Sequence, residues 1–224
     1  FYRNEMIFSK RWRRERLSRI LTEDLRDLEY VREVSLIEEL ASLIPKHVSS
    51  QLSYQSLANE LEVDFKTVQH WLDILDNLYV TFRIKPFTSG KLRLVKRSER
   101  LYFWDWGADI NEKTKESGFQ FENMVASHLL KYCHFIEDTQ GDTMELKYLR
   151  DIDGREIDFV IIKNKKPLFA VESKTGDHAP CSALYYFKQR LPIPYFYQVH
   201  MGKNHFCPEN GIEIIPFIEF CEKI

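Results

Sequence analysis

The stretch that decides the fold is Arg155-Glu-Ile-Asp158, Phe159-Val-Ile-Ile-Lys163, Asn164-Lys-Lys-Pro167 and Leu168-Phe-Ala-Val-Glu172-Ser-Lys174. Ile157–Ile162 and Leu168–Lys174 are rich in β-branched and aromatic residues, and the turn residues Lys163 to Pro167 separate them, so the stretch reads as a β-hairpin. The simplest register sets Lys163 opposite Pro167 across a three-residue loop. Asp158 then faces Glu172, and Glu156 faces Lys174. Directly opposed residues share a face, as do alternate ones. Asp158, Glu172 and Lys174 are therefore expected on one side with Val160, Ile162, Leu168 and Ala170. Ile157, Phe159, Ile161, Phe169 and Val171 take the other. Both sides are apolar, as in central strands covered by helices on both faces.

Two carboxylates opposed in such a place are costly unless a proton, a cation or Lys174 compensates. A divalent metal is the compensation that also does chemistry. Mg²⁺ is usually held by a couple of carboxylates together with water and substrate phosphate. It can supply a hydroxide-like nucleophile and stabilise a phosphodiester transition state. Lys174 would orient the attacking water or neutralise developing charge.

Outward from the hairpin, Glu145–Leu149 reads as a preceding strand. Ser182–Arg190 and Tyr195–Val199 read as a following helix and strand. Upstream, Phe119–Tyr132 has helical period, and Glu122 shares its stripe with Val125, Ala126 and Leu129. That carboxylate is either a third metal ligand or a first-turn Glu favoured by the helix dipole. Asp158, thirteen residues, then Glu172-Ser-Lys174 resembles the signature of the PD-(D/E)xK nuclease superfamily. The resemblance implies a restriction-endonuclease-like mixed sheet flanked by helices. It also implies Asp158, Glu172 and Lys174 as catalytic residues, and Glu122, Asp158 and Glu172 as ligands of Mg or Mn. A salt-bridged remnant in a retired nuclease fold is the competing reading of the same three residues.

The N-terminal part is helical in period: Leu17, Leu21, Leu25 and Leu28, then Leu36, Leu40 and Leu43, with Pro45 as the stop. Ser53 is placed to cap a helix over Tyr54–Leu61, and Asp64 one over Phe65–Leu78. A very short turn joins these two helices. Leu57, Ala58, Leu61, Val63, Val68, Trp71, Leu72 and Leu75 supply their apolar contact, and the small Ala58 allows a close, steep crossing. Tyr79–Lys85 and Leu101–Trp106 read as strands around a basic loop. The pattern resembles the winged helix-turn-helix superfamily, which implies that the second helix enters the DNA major groove. Its polar face carries Asp64, Lys66, Thr67, Gln69, His70 and Asp73. Affinity for nucleic acid rests largely on Lys and Arg, so one Lys beside two Asp is a poor phosphate face. The wing residues Lys91, Arg93, Lys96, Arg97 and Arg100 are the better contacts, with Lys66, Gln69 and His70 as base readers.

Charge supports that division. The 224 residues sum to −2. Phe1–Arg19 nevertheless carries seven basic and two acidic residues, and Arg83–Arg100 seven basic and one acidic. Val34–Val80 carries two basic and seven acidic, so basic segments flank an acidic module. Apolar residues at 44% exclude a disordered chain. No apolar run approaches the roughly 18 residues that cross a bilayer, so no membrane partner is expected. Cys133, Cys181, Cys207 and Cys221 form no CxxC pair and read as reduced thiols of a cytoplasmic protein. Cys133-His134 and His205-Phe-Cys207 lack a second spaced pair for zinc. Cys181 has His178 near it in sequence alone as partner for a nucleophile.

The order of modules resembles the C-terminal region of a prokaryotic AAA-type ATPase family, in which a P-loop domain precedes a domain of unknown function. The residues that carry this begin with Leu25-Arg-Asp-Leu28, Leu57-Ala58, Thr67-Val68, Trp71-Leu72 and Leu101-Tyr-Phe-Trp-Asp-Trp106. Phe121-Glu122-Asn123, Val125-Ala126, Gly154-Arg-Glu-Ile-Asp158 and Glu172-Ser-Lys174 complete the set, and the resemblance covers the chain from about Arg16 onward. No GxxxxGK[ST] is present, since Gly90-Lys-Leu and Gly202-Lys-Asn lack the phosphate cradle. ATP is therefore expected to act only through an upstream ATPase domain of the same parent chain, and the opening on Phe1 rather than Met fits a piece of something longer. The expected organisation is a helical linker over 1–33, a winged helix-turn-helix over 34–106 and a nuclease-like domain over 107–224. The expected function is a DNA-interacting module carrying a Mg-dependent endonuclease-type site. Its alternative is a non-catalytic regulatory or protein-interaction module.

Overall fold

The computed structural model describes residues 34–44, 47, 49–89, 92–95, 98–107, 117–176 and 178–224, together with Trp12, Glu15, Arg16, Arg19 and Ile20. The first leucine series and Pro45 lie outside the described residues, as do Lys91, Lys96 and Arg97. The described residues form a mixed α/β protein with six helices. The chain divides into two compact units: residues 1–83 with 101–115, and residues 84–100 with 116–224. Segment 84–100, read above as a wing of the first module, thus goes with the second unit.

The first unit contains α1 (Val34–Leu43), α2 (Tyr54–Glu60) and α3 (Phe65–Asn77). The caps read from the sequence are present. Ser53 Oγ accepts the Ser56 amide at 3.2 Å, and an Asp64 carboxylate oxygen accepts the Lys66 amide at 3.0 Å, each answering an orphan N–H of the first turn. Between them Glu62 is left-handed (φ 54°) and the Val63 amide donates to Ala58 O, which closes the short turn. Leu57, Ala58, Val68, Trp71, Leu72 and Leu75 are buried together with Ile37 and Leu40. A left-handed Tyr79 (φ 54°) ends the last turn of α3, so β1 starts at Thr81 rather than Tyr79. Strands β1 (Thr81–Pro86) and β2 (Arg100–Phe103) follow, and each has residues in both units. Arg83 holds β1 to the helices through Asp73, through Asp76 at 2.7 Å and through Tyr54 Oη at 2.8 Å.

The second unit is built on α4 (Ser117–Gln140), β3 (Met144–Arg150), β4 (Glu156–Lys163), β5 (Lys166–Lys174), α5 (Ser182–Lys188) and β6 (Tyr195–His200). Strands β7 (Phe206–Glu209) and β8 (Ile212–Pro216) and helix α6 (Phe217–Lys223) complete it. Its strands run in the order β1-β3-β4-β5-β6-β8-β7. The pairs β1–β3, β5–β6 and β6–β8 are parallel, and β3–β4, β4–β5 and β7–β8 antiparallel. Helix α4 extends eight residues past Tyr132, to a left-handed Gly141 (φ 73°). The last two strands and α6 follow the region in which the sequence had suggested elements.

The β4–β5 turn corrects one expectation and keeps its consequence. Asn164 and Lys165 are both left-handed (φ 50° and 65°), so Lys163 pairs with Lys166 across two residues. A bulge between Ile161 and Ile162 then absorbs the extra residue, and pairing reaches Phe159↔Val171 in the expected register. The expected faces hold only in part. Val160, Ile162 and Ala170 pack with Ala183, Leu184 and Phe187 of α5, while Phe169 meets Tyr132 of α4 and Phe220 of α6. Ile157, however, joins the Val160 cluster. Between the pairs Lys147↔Val160 and Leu149↔Ile157, β4 carries two residues, Asp158 and Phe159, against one of β3, so the alternation of β4 breaks at Asp158.

Candidate functional site: a buried carboxylate cluster

Asp158 stands where β4 and β5 part. Their pairing stops at Phe159↔Val171, and Asp158 Oδ2 takes over by accepting the Ser173 amide at 2.8 Å and its Oγ–H at 2.6 Å. Glu172, next along β5, is held level with Gln198 of the parallel strand β6. Lys174 donates to Glu172 Oε1 at 2.7 Å, and its half-buried side chain reaches toward solvent.

Glu172 is only 4% exposed, and its second oxygen, Oε2, is buried without a hydrogen-bond partner. Burial raises the pKa of this carboxyl above the usual glutamate range, and the negative charge of Asp158 raises it further. Lys174 and the Asp158 amide oppose this without cancelling it. Burial works against the Lys174 charge, but Glu172, with Asp158 behind it, outweighs burial and raises that pKa.

The cation that organises the rest is Arg100, 3% exposed at the first position of β2. Its Nη2 donates to Glu156 Oε2 at 2.7 Å, which Arg150 also holds at 2.6 Å. Its Nη1 lies 3.6 Å from Glu122 Oε1 and 3.7 Å from Asp158 Oδ1. The guanidinium carbon sits 4.7 Å from the Tyr148 ring centroid, and Tyr148 Oη donates to Ser98 O at 2.9 Å, pinning the segment that delivers Arg100.

The structure therefore brings Glu122 and Asp158 beside Arg100, a cation assigned elsewhere, while Glu172 and Lys174 pair with each other within electrostatic reach of Asp158. Arg100 was expected to face phosphate from a wing. It is buried against carboxylates and unavailable for that. A hard divalent cation needs oxygens at about 2.0–2.1 Å in near-octahedral array. Here Glu122 and Asp158 share a guanidinium and Glu172 Oε1 takes an ammonium, so the residues as arranged do not fit a metal. Among the described residues no group of three or more His, Cys, Asp or Glu is placed to hold one.

Gln198, fully buried, was missed. Its Oε1 accepts the Cys181 amide at 2.8 Å, and its Nε2 donates to His178 O and Ala179 O, fixing the loop beside the site. A polar residue amid Tyr195-Phe-Tyr-Gln-Val-His200 was its available signal. Burial raises the Cys181 thiol, and Glu172 adds to the rise, which disfavours the thiolate a nucleophile needs. Burial pushes Cys133 up to about 12. His205 is engaged by Glu213 and Glu219 at 2.8 Å each.

On the first unit Lys66, Gln69 and His70 are exposed along α3. The two acidic groups of that face are partly neutralised, Asp64 by capping and Asp73 by Arg83. Arg93 is exposed, and it belongs to the second unit. No helix among the described residues is long and apolar enough to cross a membrane.

Comparison with known families also divides the chain in two, but keeps residues 84–100 with the first part, where the contacts group them with the second. Residues 2–108 match the family model of a domain of unknown function, DUF8612. Residues 117–220 match that of another, DUF4143, which is found in AAA-ATPase-associated proteins and agrees with the resemblance read from the sequence. No match to the chain was found among curated proteins or among solved structures.

Proposed function

We propose that the chain is a non-catalytic binding module of an AAA-type ATPase, pairing a winged helix-turn-helix with a PD-(D/E)xK-like fold. The observation that carries this is Arg100, whose buried guanidinium occupies the charge position a metal would take between Glu122 and Asp158. A site closed by its own cation holds its geometry without metal and does not activate water. Partner contact falls to exposed surfaces, with DNA at Lys66, Gln69 and His70 of α3 as the chemistry that helix offers.

A second reading, a Mg-dependent phosphodiesterase, is favoured by the partnerless Glu172 Oε2 beside Lys174. Mn²⁺ titration calorimetry on the wild type and Asp158→Asn, with a Mg²⁺-dependent DNA cleavage assay, separates the two. No saturable binding and no cleavage is the expected result. Saturable binding that disappears in Asp158→Asn, with cleavage, would replace the first reading by the second.

A further inference from the structure

Helix α5 and part of segment 84–100 cover one apolar cluster of the second unit. Leu94 belongs to that cluster with Ala183, Leu184 and Phe187, and Leu92 and Tyr186 pack against it. Arg93, between the two leucines, is exposed. The segment is fastened to the turn between β3 and β4, where the Val95 amide donates to Arg150 O at 2.9 Å and the Ile152 amide to Arg93 O at 3.1 Å. From the same turn the exposed Arg155 sets its guanidinium carbon 4.3 Å from the Tyr186 ring centroid. Arg190, exposed just beyond α5, sets its own 4.0 Å from that centroid. One half-buried tyrosine thus gathers two guanidiniums at the surface.

The two cations are held differently. Arg155 Nη1 donates to Asp151 at 2.7 Å and to Asp153 at 2.9 Å, which fixes its position and offsets its charge. Arg190 Nη1 donates to Tyr186 O at 3.0 Å and to Gln189 Oε1 at 3.3 Å, both neutral acceptors, so these bonds position its charge without offsetting it. Like charges drawn onto one ring repel each other, and an anion lying across them relieves that repulsion. A stacked guanidinium keeps its plane, and its planar fork of N–H donors matches a phosphate group. The stretch Lys91–Arg97 carries four basic residues and no acidic one, which favours a polyanion over a single anion. Resting on the reading of a binding module, we infer that Arg93, Arg155 and Arg190, with Tyr186 as platform, form a second DNA contact that holds the phosphodiester backbone. It goes beyond the α3 contact, lies wholly on the second unit and uses none of the carboxylate cluster. Phosphates carry no sequence information, so this contact positions the duplex without reading it.

The test is fluorescence anisotropy of labelled DNA duplexes titrated with the full chain at several salt concentrations. The proteins are wild type, Arg155→Gln/Arg190→Gln, Arg190→Gln, Arg93→Gln and Lys66→Gln/His70→Ala. Each arginine removed should reduce the slope of log K against log salt by about 0.9. The arginine double variant should also bind at least about tenfold more weakly at low salt, equally on duplexes of unrelated sequence. An unchanged slope in that variant overturns the inference, and so does a loss confined to one sequence. If it binds like wild type while Lys66→Gln/His70→Ala binds weakly, the inference fails and the α3 reading stands. The reverse result keeps this contact and removes the one on α3. A wild type that binds no duplex at low salt overturns both. Arg155 also holds Asp151 and Asp153, so should circular dichroism show the double variant unfolded, Arg190→Gln decides: its slope falls by about 0.9 or the inference fails.

Discussion

Arg83 in the first unit and Arg100 in the second are each set among acidic side chains, and they do different work. Arg83 is fitted to its partners. It donates to Asp76 at 2.7 Å and to Tyr54 Oη at 2.8 Å, and it also bonds Asp73, so its fork ties α2, α3 and β1 into one body. Arg100 is more deeply buried, with a short bond to Glu156 at 2.7 Å and Glu122 and Asp158 at 3.6 and 3.7 Å. The Arg83 arrangement satisfies hydrogen bonds. The Arg100 arrangement adds charge compensation for Glu122 and Asp158 to its bond with Glu156. One arginine thus ties elements of the first unit together, and the other compensates buried carboxylates of the second.

The largest expected effect breaks the comparison at its buried member. Arg100→Met should cost about 3–5 kcal/mol in denaturant unfolding, because it leaves buried carboxylates uncompensated. Removing the negative charge as well, in Arg100→Met/Asp158→Asn, should recover part of that, and strict additivity would show that the two are uncoupled. Arg83→Met, at a side chain 14% exposed, should cost less, about 1.5–3 kcal/mol, the range of a charged hydrogen bond. An equal loss at both sites would erase the distinction between them.

Glu172 sharpens the comparison by pH. Its folded-state pKa is raised above the ordinary 4.5, so its contribution to stability is full below that value and is lost as pH rises through the folded value. Glu172→Gln should therefore flatten the decline in unfolding temperature between about pH 4.5 and neutrality. An unchanged profile in Glu172→Gln would mean that the buried carboxylate is compensated after all. The smallest expected effect is at the α3 cap: Asp64→Ala should lose about 1 kcal/mol. A much larger loss would show that Asp64 does more than hold the Lys66 amide.

Much of the site was legible because its signals are local. Asp158, Glu172 and Lys174 could be placed from strand periodicity and a turn. The actual turn was one residue shorter than supposed, and the Ile161/Ile162 bulge compensated. That compensation was out of reach, because a two-residue turn with Asn164 and Lys165 left-handed and a three-residue turn suit the same five residues. The break of alternation at Asp158 came from an irregularity in β4 itself, where Asp158 and Phe159 together stand against Tyr148 of β3. Arg100 was assigned to a basic wing on charge density, and charge density does not reveal which charges are turned inward.

The chain by itself determined its helices, their Ser53 and Asp64 caps, the central hairpin and the residue types of the carboxylate cluster, because period, capping and β-propensity act over a few neighbours. The tertiary structure decided the order of strands, the role of Gln198 under the Cys181 loop, and which cation meets Glu122 and Asp158. Those outcomes depend on groups far apart in sequence arriving at one point. There, burial strengthens every charge, and which carboxylate meets the guanidinium and which the ammonium is settled by fit.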